Sequence, residues 1–270
     1  MYYLELNHAE INSLQEKARL KYLEHVYSFR DSELCGNKID NFAGVDPNKI
    51  GSFMLHIIQH EIEKNSLPRQ TLEKTMLVHN QEAVFDMFGT RIHIGTTEFS
   101  ARIMLTAREH ISSGSLDRLM NGLITHILVR ENDRFFTILN ANHVENISCT
   151  KIGRSMGLEE LGGLVSSRLD FLYYSNLTPT NFLINPNLLH HIDRAVTHIN
   201  GLNVIQNFGI PENVAYILAT PSQTGKLAVR HDLQMVTSND MGTLNTAYTL
   251  WEDIGIGIIN PHSVIKINFN

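Results

Sequence analysis

An α+β fold is what this sequence of 270 residues predicts, on three observations. Apolar residues recur every three or four positions in several long segments that carry caps and breakers at their ends. Between and after those segments the period drops to two, in short runs bounded by glycine, asparagine or proline. A content of 43% hydrophobic against 19% charged residues, over this length, is ample to bury the core of one large domain or two small ones.

The same composition excludes several classes. Seven prolines and 17 glycines are ordinary usage and speak against a collagen-like or mostly disordered chain. Cys35 and Cys149 are the two cysteines, too few for a disulfide framework, which points to a reducing compartment. No apolar run approaches the roughly 18 residues of a membrane helix. Met1–Glu10 carries Glu5 and Glu10 and has no basic start, so no secretory signal is expected. A net charge of −6 argues against a dedicated nucleic-acid binder with a basic stripe. Protonating all 14 histidines would turn that charge to +8, but nothing in the sequence selects a pH-sensitive association over scattered surface and core histidines. An intracellular α+β protein is the expectation.

Taken in order, the first helix is expected from His8 to about Phe29, with Asn7 as cap and Glu10 completing a capping box; Ile11, Leu14, Ala18 and Tyr22 form its stripe. Arg30–Val45 loses periodicity and reads as an extended arm. Asp46-Pro47 starts a second helix, since proline at the first helical position has no N–H to lose. Its buried face is Ile50, Phe53, Met54, Ile57, Ile58 and Ile62, and Leu67-Pro68 ends it. Met76–Val78 and Ala83–Phe88 are short strand candidates. Arg91–Ile94 and Phe99–Leu105 alternate cleanly about a Gly95-Thr96-Thr97 turn, which predicts a two-stranded hairpin. Such a hairpin is marginal alone, so its row of Ile92, Ile94, Phe99 and Ile103 is expected to need cover from a neighbouring chain.

A long helix follows the Ser112–Ser115 cap and runs to about Leu139, with Leu116, Leu119, Met120, Leu123, Ile124 and Ile127 on one side. Arg130, Glu131 and Arg134 fall on that side too, so they are either paired at a domain edge or face another subunit. Leu158–Arg168 reads as a helix weakened by Gly162-Gly163, and Leu169–Tyr174 as a strand. Asn185-Pro186 is expected to cap a helix with Leu188, Leu189, Ile192, Val196 and Ile199 inward and Gly201 as its stop. Val204–Phe208, Val214–Ala219, Lys226–Val236 and Leu250–Ile267 read as closing strands, the last broken by the Asn260-Pro261 turn.

Motifs for chemistry are weak. His56 and His60, four apart with Glu63 nearby, form half of a zinc site, but Ile57 and Gln59 stand where a metalloprotease needs glutamate. His190-His191 and His198 point in different directions. Pro221–Lys226 lacks the leading glycine of a phosphate loop and carries Leu227 where Mg²⁺ binding needs Ser or Thr, so it reads as a hairpin turn. No G-x-S-x-G elbow is present, and nothing supports nucleophilic catalysis. Asn146-Ile147-Ser148 and Asn176-Leu177-Thr178 match the glycosylation pattern by accident.

The order of elements carries more than any motif. Ser115-Leu116-Asp117 through Arg130-Glu131-Asn132-Asp133-Arg134-Phe135-Phe136 looks like a long spine helix with charges near its end. Gly201–Val204 leading to Gly209-Ile210-Pro211 and Val214–Leu218 is similar to the strand–turn–strand of an axial domain, and Leu250–Ile267 to closing strands around an Asn-Pro turn. In these stretches the chain resembles the major capsid proteins of tailed bacteriophages, whose Hong Kong 97-type fold is shared with encapsulins. The resemblance covers roughly Pro68 to Phe269; the first 65 residues depart from the family, and a long scaffolding segment before the arm is not identified in them. The start at Met1 leads to the expectation that no N-terminal propeptide has been lost.

The resemblance implies an N-terminal arm and helices over 1–67 and an extended hairpin loop over 68–110. It implies a peripheral domain with the spine helix over 111–157 and 223–270, and an axial domain over 158–222. It implies a structural protein, not an enzyme, with no metal or other cofactor, that self-assembles into pentamers and hexamers of an icosahedral shell. The shell would enclose phage double-stranded DNA without sequence-specific binding, with portal and scaffolding or cement proteins as partners and the virion, assembled in the host cytoplasm, as location. Ile92, Ile94, Phe99, Ile103, Arg130, Glu131 and Arg134 would lie between subunits, the hairpin over the neighbour's spine helix, in obligate interfaces of roughly 2,000–5,000 Å². Ring closure by repeated heterologous contacts suits a capsomer, and a neutral-to-acidic inner wall would keep packed DNA from sticking. Three rivals stand beside this reading: an encapsulin-type compartment, a soluble metal-dependent hydrolase using His56, His60 and Glu63, and a phage tail or neck component.

Overall fold

Pro47 opens the first helix of the computed structural model, which describes residues 47–78, 82–87, 90–105, 115–142, 146–149, 158–188, 196–240 and 245–269. The expected helix over His8–Phe29 and the arm over Arg30–Val45 lie outside these residues. Helix α1 spans Pro47–Asn65 and buries Met54, Ile57, Ile58 and Ile62, one face at the i, i+3, i+4, i+8 spacing. It ends at Asn65, whose side-chain amide donates back to the Glu61 carbonyl at 2.8 Å. Pro68 does not merely stop this helix. It sits in the first turn of a second one, α2 (Leu67–Thr71), where a missing N–H costs nothing.

Helix α3 (Ser115–Ala141) is 27 residues long, about 40 Å at 1.5 Å per residue. Leu119, Leu123, Ile127, Glu131, Phe135 and Leu139 lie on its buried stripe. Further along are α4 (Leu158–Tyr174), the single turn α5 (Pro221–Thr224) and a 3-10 turn over Pro261–Ser263. The strands are β1 (Glu73–Met76), β2 (Val84–Met87), β3 (Thr90–His93), β4 (Thr97–Leu105), β5 (Asn146–Cys149), β6 (Pro179–Ile184), β7 (His198–Ile199), β8 (Leu202–Gln206), β9 (Val214–Ala219), β10 (Gly225–Asp240), β11 (Asn245–Ile258) and β12 (Val264–Phe269). They form a four-stranded sheet in the order β1-β10-β11-β4, a six-stranded sheet in the order β5-β12-β9-β6-β8-β7, and a two-stranded ribbon of β2 and β3. Among the described residues no helix is long and apolar enough to cross a membrane.

The chain divides into two compact units. One gathers the described residues up to Asn65 with those of Glu98–Leu128 and His231–Asp253. In it β4 alternates as expected: Phe99, Ala101 and Leu105 are buried while Arg102 and Met104 are exposed. Its alternate residue Ile103 reaches α3, where a Cβ on Gly122 would stand 2.8 Å from the Ile103 Cδ1. The Gln59 side chain of α1 donates to the Leu233 carbonyl of β10 at 3.1 Å.

The second unit comprises the described parts of Ser66–Thr97, Val129–Arg230 and Ile254–Asn270. Its centre is the six-stranded sheet, and all six residues of β9 are buried, as for a strand covered on both faces. Leu161, Val165, Leu169 and Leu172 of α4 pack on Phe182, Ile184, Ala215, Ile217, Ile265 and Ile267. Tyr216, on the alternate face of β9, meets the end of α3, where Phe136 stacks on it at 6.4 Å between centroids. The Tyr216 hydroxyl and the Lys266 ammonium both donate to Asn140 Oδ1, each at 2.8 Å.

Four expectations are corrected. Leu169–Tyr174 is helix, not strand, because Leu169 and Leu172 continue the stripe of Leu161 and Val165 at helical spacing. Val196 precedes, and Ile199 belongs to, strand β7 rather than a helix; 189–195 lie outside the described residues. Gly201 is no helix stop: Asn200 and Gly201, at φ 50° and 81°, make the two-residue turn between β7 and β8. Pro221–Thr224 is a helical turn with Pro221 in its first positions, rather than a hairpin turn.

Candidate functional site

The seven residues expected between chains fall into different surroundings. The first correction concerns pairing. Arg91–Ile94 does not form a hairpin with Phe99–Leu105; β3 pairs back on β2, with Val84 opposite His93 and Met87 opposite Thr90, while β4 joins β11. The Gly95-Thr96-Thr97 stretch is therefore a link between two sheets.

This pairing covers part of the apolar row from within the chain. Ile94 is 6% exposed and packs with Leu77, Ala83 and Ala228, Phe85 and Ile92 lying half-buried against them. Its side chain fills a gap left by two glycines of β11: a Cβ on Gly257 would stand 2.6 Å from Ile94 Cδ1, and one on Gly255 2.9 Å from Ile94 Cγ2. Alternate glycines share one face of a strand, so together they make the seat for this knob. Phe99 is buried at 7% exposure, and the half-buried Ile103 lies over its own α3. Ile94 and Phe99 are thus core residues of their own chain.

Glu131, expected either paired at a domain edge or facing another subunit, is paired within its own chain. Its side chain is fully buried, and Arg69 grips it from α2: Nη2 donates to Oε1 at 3.0 Å and Nε donates at 3.1 Å. The Ser66 hydroxyl donates to Oε2, and the Leu67 N–H donates to Asn132 Oδ1 at 2.9 Å. The charge in mid-helix is there because α2 docks on α3 through a bidentate, hydrogen-bonded pair. Sequence reasoning found Glu131 but not Ser66 or Arg69, which lie more than 60 residues away and carry no local signal.

Of the seven, the two arginines stay exposed. Arg130, Asp133 and Arg134 are exposed on α3, and Val129 beside them is an exposed apolar residue. On the ribbon, Asp86 and Arg91 face solvent as a pair 3.3 Å apart. At the root of the ribbon Lys226 Nζ lies 2.6 Å from Glu73 Oε2 and 6.0 Å from the Phe85 ring centroid.

Two buried tyrosines have shifted titration. Burial pushes the Tyr216 phenol up to about 12 against the lowering effect of its Asn140 bond, and burial alone pushes Tyr248 up to about 12. Of the histidine candidates, His56 is half-buried, His60 Nδ1 lies 3.6 Å from Glu61 Oε1, and Glu63 is exposed. Among the described residues no three of His, Cys, Asp and Glu are grouped to hold a metal ion.

No protein-family model matches the chain, and no curated protein matches it in sequence. Solved structures do match. A virus-like particle protein from Pyrococcus furiosus superposes with a TM-score of 0.59 at 16% identity, over 82% of this chain and 100% of that one. The mature capsid protein of bacteriophage PhiM1 superposes with a TM-score of 0.57 at 10% identity, over 76% and 87%. The encapsulin of the holo-SrpI complex from Synechococcus elongatus gives 0.51 at 11% identity, over 74% and 85%. This chain has the Hong Kong 97-type capsid fold. The order of long helix, paired strands and closing strands read from the sequence matches the order of α3, β8–β9 and β11–β12.

Proposed function

We propose that this chain is the major capsid protein of a tailed phage, forming pentamers and hexamers of an icosahedral shell around double-stranded DNA. The observation that carries the reading is the superposition over four-fifths of the chain on a shell-forming particle protein, together with a phage capsid of nearly equal likeness. Charge is consistent with it: at −6 the chain has no surplus of base to hold packed DNA fast. Residues 1–67 serve as N-terminal arm and helices, 68–110 as the extended loop, 111–157 and 223–270 as peripheral domain and 158–222 as axial domain. Portal and scaffolding or cement proteins are the partners, and the virion is the location.

The chain-to-chain surface is narrower than the sequence suggested. It keeps Arg130 and Arg134 on the spine helix, with Val129 beside them, and the half-buried Ile92 with the exposed Asp86–Arg91 pair on the ribbon. Opposite charges on ribbon and helix can set the register of neighbouring copies, a matter of specificity more than of net stability.

An encapsulin-type compartment is the second reading, favoured by the likeness to the Synechococcus protein. Purified particles separate the two. Nuclease-protected DNA inside them, from cells making the complete set of structural proteins, supports the phage reading. A co-purifying enzyme in their place supports the compartment, and a chain that yields no particle refutes both.

A further inference from the structure

Two Asn-Gly dipeptides occur in the chain, Asn121-Gly122 and Asn200-Gly201. Asparagine before glycine is a chemically weak link, because the glycine nitrogen has no neighbouring side chain to shield it from the asparagine Cγ. The two dipeptides sit in opposite settings. Asn121-Gly122 lies inside the 27-residue α3, where helical dihedrals hold the nitrogen away from Cγ and Ile103 packs over Gly122. Asn200-Gly201 is the exposed turn between β7 and β8, at φ 50° and 81°. Strand β7 is two residues long and stands at the sheet edge, in register with β8 at His198–Asn203 and Ile199–Leu202, and the Val204 N–H donates to the Thr197 carbonyl just before it at 2.8 Å. One side-chain bond secures the turn: Asn200 Nδ2 donates to the Gly162 carbonyl of α4. Beside it runs an open groove of about 490 Å³ lined by Glu159, Gly162, Gly163, Ser166, His198 and Asn200.

We propose that Asn200 is a site of spontaneous deamidation in the folded protein, with Asn121 protected by its helix. The Gly201 nitrogen attacks Asn200 Cγ and forms the new N–Cγ bond. Its proton passes by way of solvent to the departing Nδ2, and the Cγ–Nδ2 bond breaks to release ammonia. Water then opens the succinimide to aspartate or isoaspartate, so one water is consumed and nothing is oxidised or reduced. The backbone of Asn200 must rotate before the attack, and a two-residue edge strand makes that local opening inexpensive. The product changes the fold locally. A carboxylate cannot donate to the Gly162 carbonyl, and it adds negative charge to the groove that holds Glu159. Conversion therefore unties the β7–β8 turn from α4, irreversibly.

The test incubates the full chain at mildly alkaline pH, folded and in concentrated urea, then digests it in acid and maps peptides by mass. In the folded chain Asn200 should convert at least about tenfold faster than Asn121, the ratio given by about 1.4 kcal/mol of opening free energy. In urea both should convert at similar rates. Equal conversion of the two in the folded chain, or a folded Asn200 that persists while the unfolded chain converts, overturns the proposal. Asn200→Asp gives the consequence directly: amide exchange should quicken in the first turns of α4 and stay unchanged in α3. Unchanged exchange in α4 would show that the tie has no such role.

Discussion

The Arg69 guanidinium and the Glu131 carboxylate meet at 3.0 Å with both side chains withdrawn from water. One belongs to a five-residue helix and the other to the 27-residue α3, so their pairing fixes where the short helix docks. Taking one charge away leaves the other buried and uncompensated. Glu131→Ala should cost about 3–5 kcal/mol of stability. Replacing both by methionine should cost far less, because no charge is then stranded. Urea titrations of the single and double variants check this, and additive losses would contradict it.

Ile94 in its glycine seat gives a steric counterpart. Gly257→Val places atoms inside the volume that the Ile94 side chain fills, and should cost about 1–3 kcal/mol. Ile94→Ala on that background should recover part of the loss. Thermal melts of the three variants read the coupling, and no recovery would mean that the two residues do not share the space.

Burial also changes what aspartate would do. Ile94→Asp or Phe99→Asp should prevent the protomer from folding, since each places a carboxylate in an apolar core. Arg130→Glu with Arg134→Glu lies on an exposed face and should leave a folded protomer that no longer assembles. Circular dichroism with sedimentation separates the two outcomes.

Tyr216 and Tyr248 supply a pH signature. Their phenols are held up to about 12 in the folded chain against the usual 10. The stability linked to them is whole below pH 10 and is lost as pH rises through 12, because the unfolded chain gives up those protons first. Near-ultraviolet phenolate titration of the native protein should show Tyr216 and Tyr248 ionising late. Tyr216→Phe should remove one of them.

The legible part of the fold was local. The proline start of α1, the long stripe of α3, the limits of β9 and the Asn260 cap, whose Oδ1 accepts from the His262 N–H at 3.0 Å, all follow from neighbouring residues. Pairing was not local. Alternation put Phe99–Leu105 in a strand correctly, but alternation cannot say whether that strand joins β3 or β11. The same limit hid the partner of Glu131, and with it the reason for a charge on a buried stripe. Asn200-Gly201 is different, since two such residues between His198-Ile199 and Leu202-Asn203 are a hairpin signal that the reading of a helix over 185–199 overrode. The resemblance in the order of elements reaches the fold, while the pairing of β3 with β2 and of β4 with β11 differs from the hairpin expected.

The account stands on many copies closing into one particle. Negative-stain microscopy of the purified full chain tests it most directly. Uniform closed shells are the expected result, and a lone protomer at every concentration, or open tubes, would contradict it.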